Sequence, residues 1–401
     1  MFQRRVVTIG REGLYYLFVL VFIMGGAALR DVNLLFVLAG LMIGPILLNW
    51  RMVVLAVRQL EVQRRLPKQV FAGQPFLVQM LGHNRRRRLG AWMLVLEDTL
   101  QAEGTDPDSG KRFPRVTAQV LLPYVAPGRW SRADYRVVLP QRGVYRFGPL
   151  RAGTGFPLGL VRASVRQGHA ERLVVYPRLG RLSPGWTGVL EATPFGRYQT
   201  YHRQGPVDGD YYGLREWRRG DSRRWIHWRT TAKLGKLVVR QFEQLQNRDL
   251  ALVLDLWRPP VATPGDLARV ELAVSFAASV VEELCRRGGS RLIVALAAAE
   301  TGAWSATASS LFARQTMERL AVARGCAENR LAETLGNVVE QLQPGVQMAV
   351  FSTRSSQFDQ AAHNEVFAGR PRQQRGLAQA VWLNVSEAQV GSVFQLDPSP
   401  S

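Results

Sequence analysis

The sequence is poor in cysteine, histidine and lysine. Its 401 residues include two cysteines, Cys285 and Cys326, which lie in separate apolar segments without the spacing of a disulfide framework or a zinc site. We expect both to be buried small hydrophobic residues, and nothing indicates an oxidising compartment. With five histidines and no clustered acids, the sequence predicts no catalytic group, no cofactor and no bound metal.

Nucleotide-binding and hydrolase motifs are also missing. The chain has no Walker A pattern, no G-x-S-x-G elbow and no H-E-x-x-H pair. Cys285 and His227 could be drawn as a nucleophile and its base, but Cys285 falls on the apolar stripe of a predicted helix. We therefore expect a protein that is not an enzyme.

Acidic residues are scarce relative to basic ones. The chain carries 31 Asp and Glu against 52 Lys and Arg, a formal charge of +21, and all but four of the cations are arginine. Such an excess indicates an anionic partner, which could be nucleic acid, an anionic membrane leaflet or an acidic protein face. A GC-rich genome would produce the same arginine bias, so both explanations stay open.

Charge is absent from two long runs near the N-terminus. Residues 13–29 and 32–50 are uncharged and are separated only by Arg30 and Asp31. Each run approaches the ~20 residues that cross a bilayer as a helix. The sequence therefore predicts a transmembrane helical hairpin over residues 1–57, with the lipid bilayer as a partner.

The flanking charges predict the orientation of this hairpin. Basic residues precede the first run and follow the second, namely Arg4, Arg5, Arg11, Arg51, Arg58, Arg64, Arg65 and Lys68. By the positive-inside rule both ends lie in the cytoplasm, so we expect a multi-pass protein of the bacterial inner membrane with its soluble body inside. A signal peptide cleaved near 26–28 would leave the body on the same side. Two buried core helices are less favoured because neither run has a polar face.

Residues 58–179 have the pattern of a β domain. Short alternating or β-branched runs, from 60–66 to 172–177, recur between turn signals. About seven strands at this spacing predict an immunoglobulin-like β-sandwich. The arginines of 85–88 fall on a hairpin loop, which is either a solvated tip or a contact with lipid headgroups. Residues 180–209, rich in Gly and Pro, predict a linker.

Residues 246–396 alternate between buried strands and helices. This alternation predicts a mainly parallel sheet covered on both faces, a Rossmann-type α/β domain, followed by a disordered tail at 397–401. We expect strands at 249–257, 291–298, 346–352 and 378–385, and helices at 266–287, 309–323 and 329–342.

The residues of 210–245, here called the basic block, combine three tryptophans with many cations. Asp221 is a good N-cap and Gly235 a good C-terminal stop, so the sequence predicts one helix over 222–234 between two strands. In that helix, Trp225, Trp228, Arg229 and Ala232 would share a face.

The basic block has two interpretations. As a scaffold, its guanidinium groups stack on the indoles and pair with Glu216 or Asp221. As a binding surface, its surplus cations meet an anion or a protein partner near the start of the predicted helix. The residues assigned to this partner- or anion-binding hypothesis are Arg215, Arg218, Arg219, Asp221, Arg223, Arg224, His227, Trp228, Arg229 and Arg240. We expect His227 to be a packed, hydrogen-bonded residue and not a pH switch.

The basic block also carries a resemblance. The spacing G-x-x-x-G-L-R from Gly209 to Arg215, then G-D-x-x-R-x-I-H-W from Gly220 to Trp228, is similar to that of a bacterial family known as domain of unknown function 58. The matching continues to Glu243, and 142–150 with 156–160 resembles a second family stretch. The resemblance extends over nearly the whole chain, including the two apolar runs.

The resemblance implies a C-terminal domain similar to the von Willebrand factor A fold. It also implies an association with MoxR-type AAA+ ATPases, beside which such proteins are commonly encoded. A metal-ion-dependent adhesion site would need Asp-x-Ser-x-Ser after the first strand of that domain. Here Trp257 and Pro259 replace both serines after Asp255. We therefore expect no metal at this degenerate position and a structural role for Asp255.

These observations together predict a non-catalytic, membrane-anchored cytoplasmic adaptor or scaffold that acts with a MoxR-type ATPase in protein or complex assembly. The alternative is a membrane-associated nucleic-acid-binding protein that uses its basic surface, which we favour less. The sequence gives no oligomeric state.

Overall fold

A computed structural model describes residues 5–30, 32–104, 112–183, 186, 211–218, 221–242, 249–342, 346–354, 380–385 and 388–396. They belong to two compact units. The N-terminal unit comprises Met1–Gly180, Gln315–Ala323 and Leu396–Ser401, and the α/β unit comprises Arg181–Arg314 and Arg324–Gln395. Most of the predicted linker and the whole predicted tail lie outside the described residues.

The N-terminal unit begins with two apolar helices, α1 at Arg11–Arg30 and α2 at Asn33–Arg58. Both are long and apolar enough to cross a membrane. Only 17% and 11% of their most apolar stretches are buried within the chain, which argues against two core helices of a soluble fold. The predicted helical hairpin is confirmed as a pair of helices, and the second helix continues past the predicted run to Arg58.

The last turns of α2 belong to the core of the β-rich part. Val53 and Val57 are fully buried in one apolar cluster with side chains from both β-sheets. One turn earlier, Asn49 donates from Nδ2 to the carbonyl of Gly155 at 3.2 Å and accepts from the amide of Val161 at 2.7 Å. Helix α2 and the β-rich part are therefore one continuous piece, with no flexible connection between them.

Among the residues that the structure describes, the β-rich part contains eleven strands, and ten of them lie within 58–179, where about seven were predicted. Strand β1 was missed because it precedes the first apolar run and pairs with a distant strand, β10. Arg5 lies opposite Val165, which is 160 residues later in the chain. The strands are β1 Arg5–Ile9, β2 Leu60–Arg65, β3 Val70–Phe71, β4 Pro75–Asn84, β5 Ala91–Ala102, β6 Val116–Val125, β7 Trp130–Val138, β8 Gly143–Phe147, β9 Leu150–Thr154, β10 Val161–Gln167 and β11 Glu171–Tyr176.

These strands form two sheets that pack face to face. One sheet has the order β1-β10-β9-β5-β8-β11-β3 with β6 paired to β5, and the other has the order β2-β4-β7. Val62 and Met80 of the smaller sheet share a core with Leu94 and Leu96 of the larger one. The buried faces alternate with exposed ones along the strands, as expected for a two-layer β structure.

The α/β unit is built on a five-stranded sheet. Its order is β17-β16-β15-β18-β19, and every pair is parallel except β16 with β17. The sequence did not predict β17, because an exposed edge strand of small and polar residues lacks an apolar pattern. The remaining strands are β12 Gly180–Leu182, β13 Tyr211–Glu216, β14 Val238–Phe242, β15 Leu250–Asp255, β16 Arg291–Ala297, β17 Gly302–Thr307, β18 Gln347–Ser352, β19 Val381–Asn384 and β20 Phe394–Leu396.

Helices cover both faces of this sheet. Leu331, Leu335 and Val338 pack on one face, and Phe276 contacts Phe351 on the other with their ring centroids 4.6 Å apart. The predicted parallel sheet with helices on both sides is therefore confirmed. The helices that follow α2 are α3 Trp228–Leu234, α4 Pro264–Arg287, α5 Ser310–Val322, α6 Leu331–Gln341 and α7 Ala388–Val393.

Candidate functional site

The basic block folds around an antiparallel strand pair. Strand β13 pairs with β14, with Arg215 opposite Val239 and Glu216 opposite Val238. Both strands were predicted. The chain between them forms a short 3-10 helix at Arg223–Trp225 and then helix α3.

The prediction of one helix over 222–234 is wrong. Ile226 takes an extended conformation and bridges to Val239, which buries its side chain and interrupts the helix. Trp225 and Trp228 consequently belong to different elements and do not share a helical face. Gly235 ends α3 in the left-handed conformation, with φ of 65°, as predicted.

His227, and not Asp221, is the N-cap of α3. Its Nδ1 accepts a hydrogen bond from the backbone amide of Thr230, and the Thr230 hydroxyl lies 2.8 Å away. The amide of His227 donates to the carbonyl of Val238 at 2.8 Å. This half-buried histidine is therefore a hydrogen-bonded capping residue, in line with the expectation that it is packed.

Asp221 instead forms the main ion pair of the block. Both terminal nitrogens of the Arg215 guanidinium donate to its carboxylate at 2.7 Å, and the amide of Arg218 donates to the same group at 2.7 Å. The hydrogen bonds from Arg215 hold the pKa of Asp221 below its usual value, and the same contact raises the pKa of Arg215. This bidentate pair fixes the turn that follows β13.

The other described cations of the block are solvent-exposed. Lys236 lies 3.4 Å from the exposed carboxylate of Glu216, a weak surface pair. Trp228 is 66% exposed, and Leu234 and Leu237 are exposed as well. Arg219 and Glu243 lie outside the described residues. The exposed cations are Arg218, Arg223, Arg224, Arg229, Lys233, Lys236 and Arg240.

Exposure on this scale gives the block a cationic surface with an apolar component. Trp228, Leu234 and Leu237 supply the apolar area, and the exposed arginines and lysines supply the positive charge. Within the described part of the chain, the two acids of the block are already engaged by Arg215 and Lys236.

A second polar cluster lies at the ends of the central strands of the α/β sheet. Asp255 ends β15, and its Oδ2 lies 2.8 Å from the hydroxyl of Ser352 and 2.9 Å from Nε of Arg354. The side chains of Asp255 and Arg354 are only 2% and 3% exposed. The carboxylate is thus engaged by the chain's own guanidinium.

Arg354 is held from several directions. Its Nη2 donates to Asn329 at 2.8 Å, its guanidinium lies 5.4 Å from the ring centroid of Trp257, and Asn384 donates to its carbonyl. In open α/β sheets, ligands bind beyond the carboxyl ends of the strands where the strand order reverses. In this sheet that position, between β15 and β18, is filled by a side chain of the protein.

Sequence reasoning identified Asp255 but missed Arg354. The available signal was the cost of burying an unpaired carboxylate, which requires a cation or donors nearby. Arg354 is the second residue after Ser352, which ends the buried strand β18. Strand order is needed to place β18 beside β15, so the pairing could not be read from sequence alone.

The fold and the site define a class of protein. Its members have an apolar helical hairpin continuous with a two-sheet β-rich part, followed in the chain by a cationic block and an α/β sheet. Residues 213–330 match the family described as "Protein of unknown function DUF58". The match covers most of the basic block and the first part of the α/β sheet, and it supports the resemblance to that family.

The other comparisons add little. No curated protein matches this chain. Solved structures with partial similarity include the superoxide reductase (neelaredoxin) of Ignicoccus hospitalis, at 18% identity over 28% of this chain and 77% of that one with a TM-score of 0.18. A β-glucosidase of Listeria innocua matches at 14% identity over 29% and 16%, with a TM-score of 0.19. The sporulation control protein Spo0M of Bacillus subtilis matches at 13% over 33% and 54%, with a TM-score of 0.18. Scores this low carry no functional argument.

Proposed function

We propose that this protein is a non-catalytic scaffold, anchored in the bacterial inner membrane by α1 and α2 with its body on the cytoplasmic side. The observation that carries the proposal is the continuity of α2 with the β-rich core. Val53 and Val57 are core residues, and Asn49 is bonded to the loop before β10. A helix built into the β-rich part in this way holds that part at a fixed place relative to the membrane.

Within this proposal, the α/β unit is a von Willebrand factor A-like domain and the β-rich part is an immunoglobulin-like sandwich. The order β17-β16-β15-β18-β19, with one antiparallel edge strand, has the arrangement 3-2-1-4-5 of doubly wound sheets and supports a von Willebrand factor A-like domain. Two antiparallel sheets packed face to face support an immunoglobulin-like sandwich. In the α/β domain, Arg354 supplies to Asp255 the positive charge that a metal supplies in an adhesion site.

The proposed partner is a MoxR-type AAA+ ATPase, and the basic block forms part of the docking face. The support for the ATPase is the family resemblance. The support for the block is the set of exposed cations around an exposed Trp228, because Arg and Trp are enriched among residues that dominate protein interfaces.

Co-purification tests this function. The full chain, tagged and solubilised in detergent, is expected to retain the ATPase encoded beside it. Arg223→Glu with Arg224→Glu should weaken retention, because two exposed cations of the block are reversed. Arg286→Glu with Arg287→Glu reverses two exposed cations elsewhere on the α/β unit, where they pair with Glu283, and serves as the control for net charge. Absence of the ATPase with and without nucleotide would refute the partnership.

Nucleic-acid binding is the second candidate, because the same exposed arginines and Trp228 suit phosphates and stacked bases. It predicts binding that weakens steeply with salt. A filter-binding titration with the detergent-solubilised protein, repeated at two salt concentrations, distinguishes the two. A flat response in that titration removes this candidate and leaves the protein partner.

A further inference from the structure

The β-rich part carries an exposed aromatic patch that its core does not use. Trp92 lies 4.3 Å from Tyr124 and 5.9 Å from Phe156 between ring centroids. Trp92 and Tyr124 are exposed, and so is Leu158, two residues after Phe156 in the chain. We call Trp92, Tyr124, Phe156 and Leu158 the interface patch. Large apolar side chains clustered on a surface indicate a binding partner.

The interface patch lies at the end of the hairpin where α1 begins and where the uncharged run of α2 ends. Phe156 follows Gly155, whose carbonyl accepts from Asn49 next to Trp50, the last residue of the second uncharged run. On the α1 side, the amide of Gly10 donates to the carbonyl of Leu160 at 2.8 Å. The loop of residues 155–160 therefore contacts both helices at the same end of the hairpin.

Two glycines allow this close contact. A Cβ atom added to Gly10 would lie 2.4 Å from the carbonyl oxygen of Gly159, and one added to Gly13 would lie 2.1 Å from that of Leu160. No side chain fits at these distances. The loop that carries Phe156 and Leu158 thus lies directly against the first turn of α1, at the membrane boundary of the proposed anchor.

Cations surround the same level. Arg11 and Arg51 flank the apolar runs and are exposed, and Arg162 pairs with Glu12 at 3.4 Å. Arg86 donates to the carbonyl of Gly90, two residues before Trp92, which brings the loop of exposed Arg87 and Arg88 to the patch. Aromatic rings mixed with arginine are typical of segments that lie in the interface of an anionic bilayer.

We propose that the interface patch is a second membrane contact, which inserts into the headgroup region of the leaflet next to the hairpin and recognises an anionic phospholipid surface. The inference rests on the proposed function, because it needs α1 and α2 to be membrane helices. Continuity with those helices and the complementary charge select lipid over a protein partner. The β-rich part then lies against the bilayer and is held by both contacts.

A depth measurement on the full chain tests the proposal. Leu158→Cys is introduced into a Cys285→Ala, Cys326→Ala background, labelled with the environment-sensitive fluorophore NBD, and reconstituted into phosphatidylglycerol-containing vesicles with nitroxide lipids. Leu77→Cys is the matched control, since Leu77 and Leu158 are 54% and 47% exposed. The control position is far from the interface patch. Asn84, at the end of β4, donates a hydrogen bond to the carbonyl of Val125, the residue after Tyr124, and Leu77 lies seven residues, about 23 Å, back along the same strand.

The expected result is a blue-shifted emission at position 158 that shallow nitroxides quench, with unshifted and unquenched emission at position 77. Carbonate washing of the same vesicles reports separately on the hairpin. Carbonate-resistant protein with no quenching at 158 overturns the second contact and leaves the anchor intact. Extraction of the protein by carbonate refutes the anchor itself and the second contact with it.

Discussion

Replacing Arg354 with methionine should loosen the centre of the α/β sheet. The substitution removes the guanidinium that lies 2.9 Å from the carboxylate of Asp255, and that carboxylate stays buried without this cation. Breaking a buried pair from one side costs about 3–5 kcal/mol. Protonation limits the loss, because protonating an ordinary aspartic acid at pH 7 costs about 4 kcal/mol. The cost of the broken pair and the cost of protonation are similar. We therefore expect the stability of the central strands to fall by about 3–4 kcal/mol at pH 7.

Hydrogen exchange read by mass spectrometry is the suitable assay. It reports on β15 and β18 within the intact, detergent-solubilised chain, where a single free energy of unfolding for two units would be ill defined. The expected loss corresponds to exchange faster by about two to three orders of magnitude in these strands.

Two further variants sharpen this prediction. Asp255→Leu combined with Arg354→Met removes both charges and should restore most of the protection, because no unpaired ion stays buried. Arg286→Met breaks a pair of similar length, 2.6 Å to Glu283, but Arg286 is 73% exposed, so its cost should stay below about 0.5 kcal/mol. Exchange in Arg354→Met no faster than in Arg286→Met would refute the reasoning.

Three other predictions concern single contacts. Thr263→Ala removes the side chain of the capping box at the start of α4 and should cost about 1 kcal/mol, seen as faster exchange in the first turns of that helix. The hydrogen bonds from Arg215 lower the pKa of Asp221, so the ion pair stabilises the block above about pH 4. This stabilisation is lost as the pH falls through the lowered pKa, and hydrogen exchange over residues 214–226 should then become faster. Asp221→Asn should abolish this dependence on acid. Gly13→Val should detach the loop before β10, because its side chain meets the carbonyl of Leu160, and protease should then cut that loop; Gly25→Val, with open space around it, should leave cleavage unchanged.

The features that sequence predicted are those carried by local pattern. Two uncharged runs are enough to predict α1 and α2, because each run has the length and composition of a helix that can cross a bilayer. The buried strands of the α/β sheet are likewise continuous apolar runs, as in β15 and β18. Gly235 was placed correctly because few other residues accept its conformation.

The features that sequence missed depend on distant partners. Strand β1 is defined by its pairing with β10, and the break in the predicted helix of the basic block is defined by the bridge of Ile226 to Val239. Aspartate is a favoured residue type at N-caps, but the carboxylate of Asp221 instead accepts two hydrogen bonds from Arg215. Within the candidate site, side-chain types could be predicted, and their partners required the fold.

The entry of α2 into the core also fixes a rotational phase. A helix advances about 1.5 Å and turns about 100° with each residue. A single residue inserted between Trp50 and Val53 would therefore rotate the β-sheets by about 100° relative to the first part of α2. It would shift them along the helix axis by only about 1.5 Å. The rotational orientation of the β-sheets about the axis of α2 is therefore set by the register of that helix.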